Sequence, residues 1–257
     1  MTTIEYGKNG VFAFVTLNRP DKRNALNHEM VSDLREAFAE LEQDQAVKVI
    51  VLKSSGRSFC AGADLEYLKE LQDFTLEENL ADSSFLRDLF LQIYTLDKIV
   101  IAQVQGHALA GGCGLANVCD FVFTVPEAKF GYTEVKIGFI PALVMVFLLR
   151  KLGEGPVREM LLTGDLITAD HALKLGLVNR VVAPELLEVS VDTFAASLVK
   201  SNSFQAMIET KRMISKVQSL PLEQALDYAV KKNAEARRTT DCKNGINAFL
   251  NKTEVTW

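Results

Sequence analysis

Three short, nearly continuous apolar runs constrain this chain most: 47–52 (VKVIVL), 99–104 (IVIAQV) and 121–125 (FVFTV). Runs of this length with little polar alternation fit strands covered on both faces. A further β-rich run, 10–17 (GVFAFVTL), ends at the turn signal Asn18-Arg19-Pro20-Asp21. Between the first two strand candidates, Met30, Leu34, Ala37, Phe38 and Leu41 recur at three- and four-residue spacings within 27–45, the stripe of an amphipathic helix. A second helical stretch at 85–96 precedes 99–104. Strands alternating with helices predict an α/β fold around one core.

Beyond Thr168 the pattern changes. Residues 169–175 read as a helix with Gly176 as its C-cap, 178–182 as a short extended piece, and the remainder as helical, with Pro221 opening a last long helix to 236. The expected division is an α/β core over 1–184 and a helical oligomerisation region over 185–257.

The 257 residues suffice for a core without staples, and 48% hydrophobic with 24% charged residues excludes disordered, collagen-like and coiled-coil chains. With 28 Lys plus Arg against 33 Asp plus Glu, the net charge of -5 argues against a nucleic-acid partner. Cys60, Cys113, Cys119 and Cys242 lack CxxC spacing and a paired His, so no metal is expected and they read as free thiols in a reducing compartment. The first ten residues hold no apolar stretch of secretory length, and the expected location is cytoplasmic. The apolar run 139–149, followed by Arg150 and Lys151, is too short to cross a bilayer and reads as a buried helix, so no membrane partner is expected.

Two glycine-containing loops each follow a strand candidate and open a helix candidate: 54–65 (SSGRSFCAGADL) and 106–115 (GHALAGGCGL). Unpaired N–H groups at such turns could aim two donors at one oxygen, as in an oxyanion hole. Close packing of helix against strand needs the same glycines, and spacing leaves both readings open. Neither loop matches a nucleotide-phosphate pattern. Downstream, Glu134 lies in 128–141 (AKFGYTEVKIGFIP), just ahead of the apolar run. A carboxylate entering an apolar site gains the raised pKa that suits proton transfer near neutrality. Taken alone, it reads more readily as a solvated loop charge or the partner of Lys136 than as a catalyst.

Together these segments resemble the crotonase, or enoyl-CoA hydratase/isomerase, family. The resemblance runs from Asn18-Arg19-Pro20 and 22–26 (KRNAL) through 59–65 (FCAGADL), 106–120 (GHALAGGCGLANVCD) and 130–141 (FGYTEVKIGFIP) to 161–182 (LLTGDLITADHALKLGLVNRVV) and a helical tail. It implies a spiral of repeated ββα units with a C-terminal helical trimerisation region, assembling as a homotrimer or hexamer. It further implies backbone N–H donors at Ala63 and Gly111 for the thioester oxygen of an acyl-CoA. Coenzyme A would lie near Lys22 and Arg23 and along Ala61, Asp64 and Leu65, with Lys252 reaching its phosphates. No separate cofactor is implied, since coenzyme A is part of the substrate. Tyr132, two positions before Glu134, could orient that carboxylate or the substrate, or simply pack.

The departure lies in the acids. Family hydratases carry two glutamates; here the first position is Gly114, and Glu134 alone remains. One carboxylate can serve water addition to a 2-enoyl-CoA, alternating as base and acid, or double-bond isomerisation. A non-catalytic protein that binds CoA esters is a third reading. A second departure, 141–146 (PALVMV), places bulky residues where many relatives are glycine-rich, which should narrow the acyl side of the pocket. The combination of 110–115 (AGGCGL), 130–142 (FGYTEVKIGFIPA) and no second glutamate resembles bacterial 3-methylglutaconyl-CoA hydratases.

Overall fold

The computed structural model describes residues 2–255 and 257. The strands are β1 (Ile4–Asn9), β2 (Phe12–Leu17), β3 (Val49–Ser54), β4 (Ile99–Val104), β5 (Ala108–Leu109), β6 (Phe121–Thr124), β7 (Lys129–Gly131), β8 (Ile167–Thr168) and β9 (Arg180–Val181). The helices are α1 (His28–Gln43), α2 (Leu65–Glu70), α3 (Leu76–Thr95), α4 (Gly111–Asn117), α5 (Ala142–Leu152), α6 (Glu154–Thr163), α7 (Ala169–Leu175), α8 (Leu187–Ser201), α9 (Phe204–Val217), α10 (Leu222–Ala236) and α11 (Thr240–Asn251).

The main sheet runs β1-β2-β3-β4-β6-β9. Only the β1–β2 pair is antiparallel, and each later neighbour is parallel. Parallel neighbours need crossovers, and α1 supplies the one between β2 and β3. Its N-cap is Asn27, whose side chain accepts from the Met30 N–H, and its stripe of Met30, Leu34, Ala37, Phe38 and Leu41 is buried as its spacing predicts. Residues Val49 to Leu52 and Ile99 to Ala102 are buried without alternation, which fits central strands covered on both faces. The strands β5, β7 and β8 form a separate small sheet.

The chain divides into two compact units, Met1–Val191 and Asp192–Trp257. The division falls inside α8 rather than at 184/185. Leu187 and Val191, one turn apart, are both buried, which places the first turn of this helix with the first unit. Within the second unit, Lys232 on α10 reaches Glu209 on α9 at 3.2 Å, and the Ser203 hydroxyl donates to Asp241. The helix to 236 is not the last: Thr239 caps α11, its side chain accepting from the Cys242 N–H.

The run 139–149 is not a buried helix. Pro141 holds the start of α5 to Ala142, leaving Phe139 and Ile140 exposed ahead of it, and Met145, Val146 and Leu149 are exposed as well. Only Val144 and Leu148, one turn apart, are buried on this helix, so it packs along a single face. Among the described residues no helix is long and apolar enough to cross a membrane.

Candidate active site

Ligands of parallel sheets gather at the carboxyl ends of the strands, and both glycine-containing loops leave such ends, after β3 and β4. A short ladder ties them together. The N–H groups of Phe59 and Cys60 donate to the His107 carbonyl at 3.0 and 3.2 Å, and Leu109 N–H donates to the Cys60 carbonyl at 2.9 Å. A Cβ on Gly112 would stand 2.7 Å from the Cys60 side chain, so close packing is one function of these glycines. Packing and donor placement are both served.

The peptide geometry aims the donors. Leu26 N–H donates to the Gly62 carbonyl at 2.7 Å, and no peptide among the described residues is cis. In a trans peptide the N–H points opposite its carbonyl, so the Ala63 N–H faces away from Leu26. Likewise the Ala110 carbonyl accepts from Gly114 N–H at 3.0 Å, and the Gly111 N–H therefore points back off the start of α4. Neither N–H meets an acceptor among the described residues. A Cβ built on Gly62 would lie 3.6 Å from the Gly111 nitrogen, so the two donor-bearing segments are neighbours. Ala63 is exposed and Gly111 half-buried, leaving both open to a ligand.

Glu134 opens a single 3-10 turn, Glu134–Ile137, directly after β7 and its following Tyr132 and Thr133. Ala110 N–H donates to the Gly131 carbonyl at 2.8 Å, which ties this segment to the second loop. Burial pushes the Glu134 carboxyl above the ordinary carboxylate range, offset only in part by its own backbone N–H. Lys136 does not neutralise it, for that lysine pairs with Asp165 at 2.8 Å. The Oε2 atom of Glu134 is buried without a hydrogen-bond partner, as are the Tyr132 hydroxyl and both amide atoms of Asn117. No other described side chain holds such an atom. Native proteins keep few unpaired buried polar groups, and they collect where function needs them.

Tyr132 is fully buried beside Cys113 without reaching hydrogen-bonding geometry to its thiol. Burial, the neighbouring thiol and the Glu134 carboxylate all push its hydroxyl up, so it stays neutral and able to donate. Burial also raises the Cys60 and Cys113 thiols, to about 12 and about 11, which makes both poor nucleophiles. His107 is exposed, and its Nδ1 accepts from the Lys129 N–H at 3.2 Å.

The residues expected to hold coenzyme A fall into two groups. Arg23 and Ala61 are joined by a 3.1 Å bond from the Ala61 N–H to the Arg23 carbonyl, and Lys22 pairs with Glu66 at 2.7 Å on the surface. Leu65 is 80% exposed. Asp64 is committed elsewhere: it caps α2 through the Glu66 N–H and pairs with Arg19 at 2.8 Å. Burial would raise its carboxyl, but Arg19 and the Glu66 N–H outweigh this and hold it below the usual range. Its side chain thus shapes the loop rather than offering a free ligand. Lys252 belongs to the second unit, where it is the left-handed C-cap of α11.

A residue without an assigned role in the sequence proves central. The buried Asn24 side chain accepts from the Arg19 N–H at 2.8 Å and donates to the carbonyls of Ser55 and Ser58 at 2.8 and 2.9 Å, fastening the basic loop to the first donor loop. Among the described residues, no group of three His, Cys, Asp or Glu side chains is placed to hold a metal.

The empty position at 114 has a packing cause. A Cβ on Gly114 would overlap the Cγ1 of Val144 and come within 3.3 Å of the Phe90 ring. The bulk noted at 141–146 therefore fills the volume that a side chain on α4 would need.

Comparison with known proteins gives the family and the fold. The sequence profile of the enoyl-CoA hydratase/isomerase family matches residues 7–257. A Thermus thermophilus relative is 42% identical over 243 residues, covering 95% of this chain and 96% of its own. A protein from Clostridium acetobutylicum named short-chain-enoyl-CoA hydratase is 34% identical over 250 residues, covering 96% and 94%. A solved enoyl-CoA hydratase from Mycobacterium smegmatis superposes with a TM-score of 0.93 at 32% identity, covering 100% of this chain and 99% of that one. The chain belongs to the crotonase, or enoyl-CoA hydratase/isomerase, family and has its fold.

Proposed function

We propose that this protein hydrates 2-enoyl-CoA thioesters, with Glu134 as the sole acid/base and the N–H groups of Ala63 and Gly111 as the oxyanion hole. The observation that carries this reading is the adjacency of two unpaired N–H donors, joined through Ala110 to the segment bearing a partly buried carboxylate. The thioester oxygen would accept from both donors, drawing electron density from Cβ. Glu134 then takes a proton from water as its oxygen bonds to Cβ, and the charge collects on the oxygen in the hole. Returning the proton to Cα completes the addition. Each donor in such a hole contributes about 2.7–4 kcal/mol to the transition state.

Lys22, Arg23, Ala61 and Leu65 would line the CoA path. Tyr132 would donate toward Glu134 or the acyl group. The branched substrate 3-methylglutaconyl-CoA is the candidate suggested by the likeness in 110–115 and 130–142 and by the single glutamate. Subunits would join through the helical region as trimers or hexamers. This is supported by Leu222, Leu226 and Val230, which sit one turn apart along α10 and are each more than half exposed.

One observation favours a second reading. Because Val144 occupies the space beside Gly114, the site holds one of the two expected carboxylates, and one base suffices to move a proton between C2 and C4 of a 3-enoyl-CoA. Incubation with crotonyl-CoA, 3-methylglutaconyl-CoA and a 3-enoyl-CoA separates the readings through the conjugated-thioester absorbance. Loss of absorbance with either conjugated substrate supports hydration. A gain with the third alone establishes isomerisation, and tight binding without turnover a CoA-ester binder.

A further inference from the structure

Ala110 links three parts of the site, though nothing in its side chain is reactive. Its backbone lies at φ 49°, ψ −124°, a left-handed conformation that residues with a Cβ avoid. Its N–H holds the Gly131 carbonyl at 2.8 Å, and its carbonyl accepts the first helical bond of α4, from Gly114 N–H at 3.0 Å. Its methyl faces Gly62: a Cβ on that glycine, itself at φ +93°, would lie only 2.8 Å from the Ala110 Cβ.

The peptide after Ala110 carries the Gly111 N–H, and the peptide after Gly62 carries the Ala63 N–H. The methyl therefore stands between the α-carbons that start the two donor peptides. A glycine at 110 would relax the backbone but leave the loops free to close on each other. We infer that Ala110 is a positioning residue whose methyl sets the spacing of the Ala63 and Gly111 donors. This rests on the oxyanion reading of those two N–H groups.

The test compares Ala110→Gly, which removes only the methyl, with Ala110→Ser, which keeps the Cβ. For crotonyl-CoA hydration, Ala110→Gly should lower kcat about tenfold, since misplacement of well under 1 Å carries costs of this order. KM should stay within about twofold, and the thermal midpoint should hold or rise as the positive φ relaxes. Ala110→Ser should keep kcat within about twofold of the parent. A bound 3-oxoacyl-CoA, whose enolate absorbs in the near ultraviolet, reports the donors without turnover: its signal should be strong in the parent and in Ala110→Ser and weak in Ala110→Gly. Parent-like kcat and enolate signal in Ala110→Gly would overturn the inference, as would equal losses in both variants. An enolate signal absent from the parent would overturn the oxyanion reading itself, and the inference with it.

Discussion

Val144 occupies the space that any side chain at Gly114 would require: a Cβ there would overlap its Cγ1 and lie 3.2 Å from its Cβ. The missing carboxylate is thus built into the packing between α4 and α5, and restoring a glutamate would need a change on both helices.

Gly114→Ala tests this contact in its smallest form. In an open helix the change would stabilise by about 1 kcal/mol. Here overpacking should reverse the sign and destabilise the protein by about 1–3 kcal/mol, read as a lower thermal midpoint. Adding Val144→Ala should recover part of the loss. A midpoint for Gly114→Ala at or above the parent's would contradict the fit.

How much of this was legible in the sequence depended on burial. Helix α1 and strands β3, β4 and β6 declare themselves because their buried faces are complete. Strand β1 does not, since only Ile4 of its six residues is buried and the exposed edge carries Glu5 and Lys8. The start of α3 was readable from the capping box Thr75 to Glu78, yet the apolar pattern becomes strong only near Phe85. Glu134 and the two donor loops were visible as motifs. The partners of Asn24, the positive φ of Ala110 and the filling of position 114 by Val144 are properties of tertiary approach, which no local pattern encodes.

Asn24→Ala should uncouple the basic loop from the first donor loop. It strands the Ser55 carbonyl and the Arg19 N–H, leaves the Ser58 carbonyl only its bonds from the Ser54 hydroxyl and the Gln105 amide, and puts alanine at φ 54°. An unsatisfied buried group costs about 1–3 kcal/mol, so a loss of at least about 2 kcal/mol is expected in thermal or denaturant unfolding. An unchanged midpoint would show that the side chain is dispensable to the loop.

The raised Glu134 carboxyl fixes the direction of two pH effects. As the base for water, Glu134 must be ionised in the free enzyme, so kcat/KM should fall with decreasing pH through a pKa above the ordinary carboxylate value. Stability runs the opposite way. Since the folded protein holds this proton more tightly than the unfolded chain, the favourable contribution is complete below the unfolded pKa and is lost as pH rises through the folded one. Glu134→Gln should therefore gain thermal midpoint relative to the parent as pH rises from about 4 to 8. A constant difference across that range would contradict the raised pKa.

Leu226→Glu places a charge in the middle of the exposed α10 stripe. If that stripe joins subunits, light scattering should register a fall from trimer or hexamer mass to monomer, with the helical signal retained. A parent that is already monomeric, or a variant of unchanged mass, would remove this helix from the interface.

The rate of crotonyl-CoA hydration by Glu134→Gln, measured beside the parent through loss of the conjugated-thioester absorbance, tests the proposed chemistry most directly. With Glu134 as the only proton carrier, kcat should fall by about 10²–10⁴-fold while the protein stays folded and still binds the thioester. A variant that hydrates crotonyl-CoA as fast as the parent would show that the proton moves through another group.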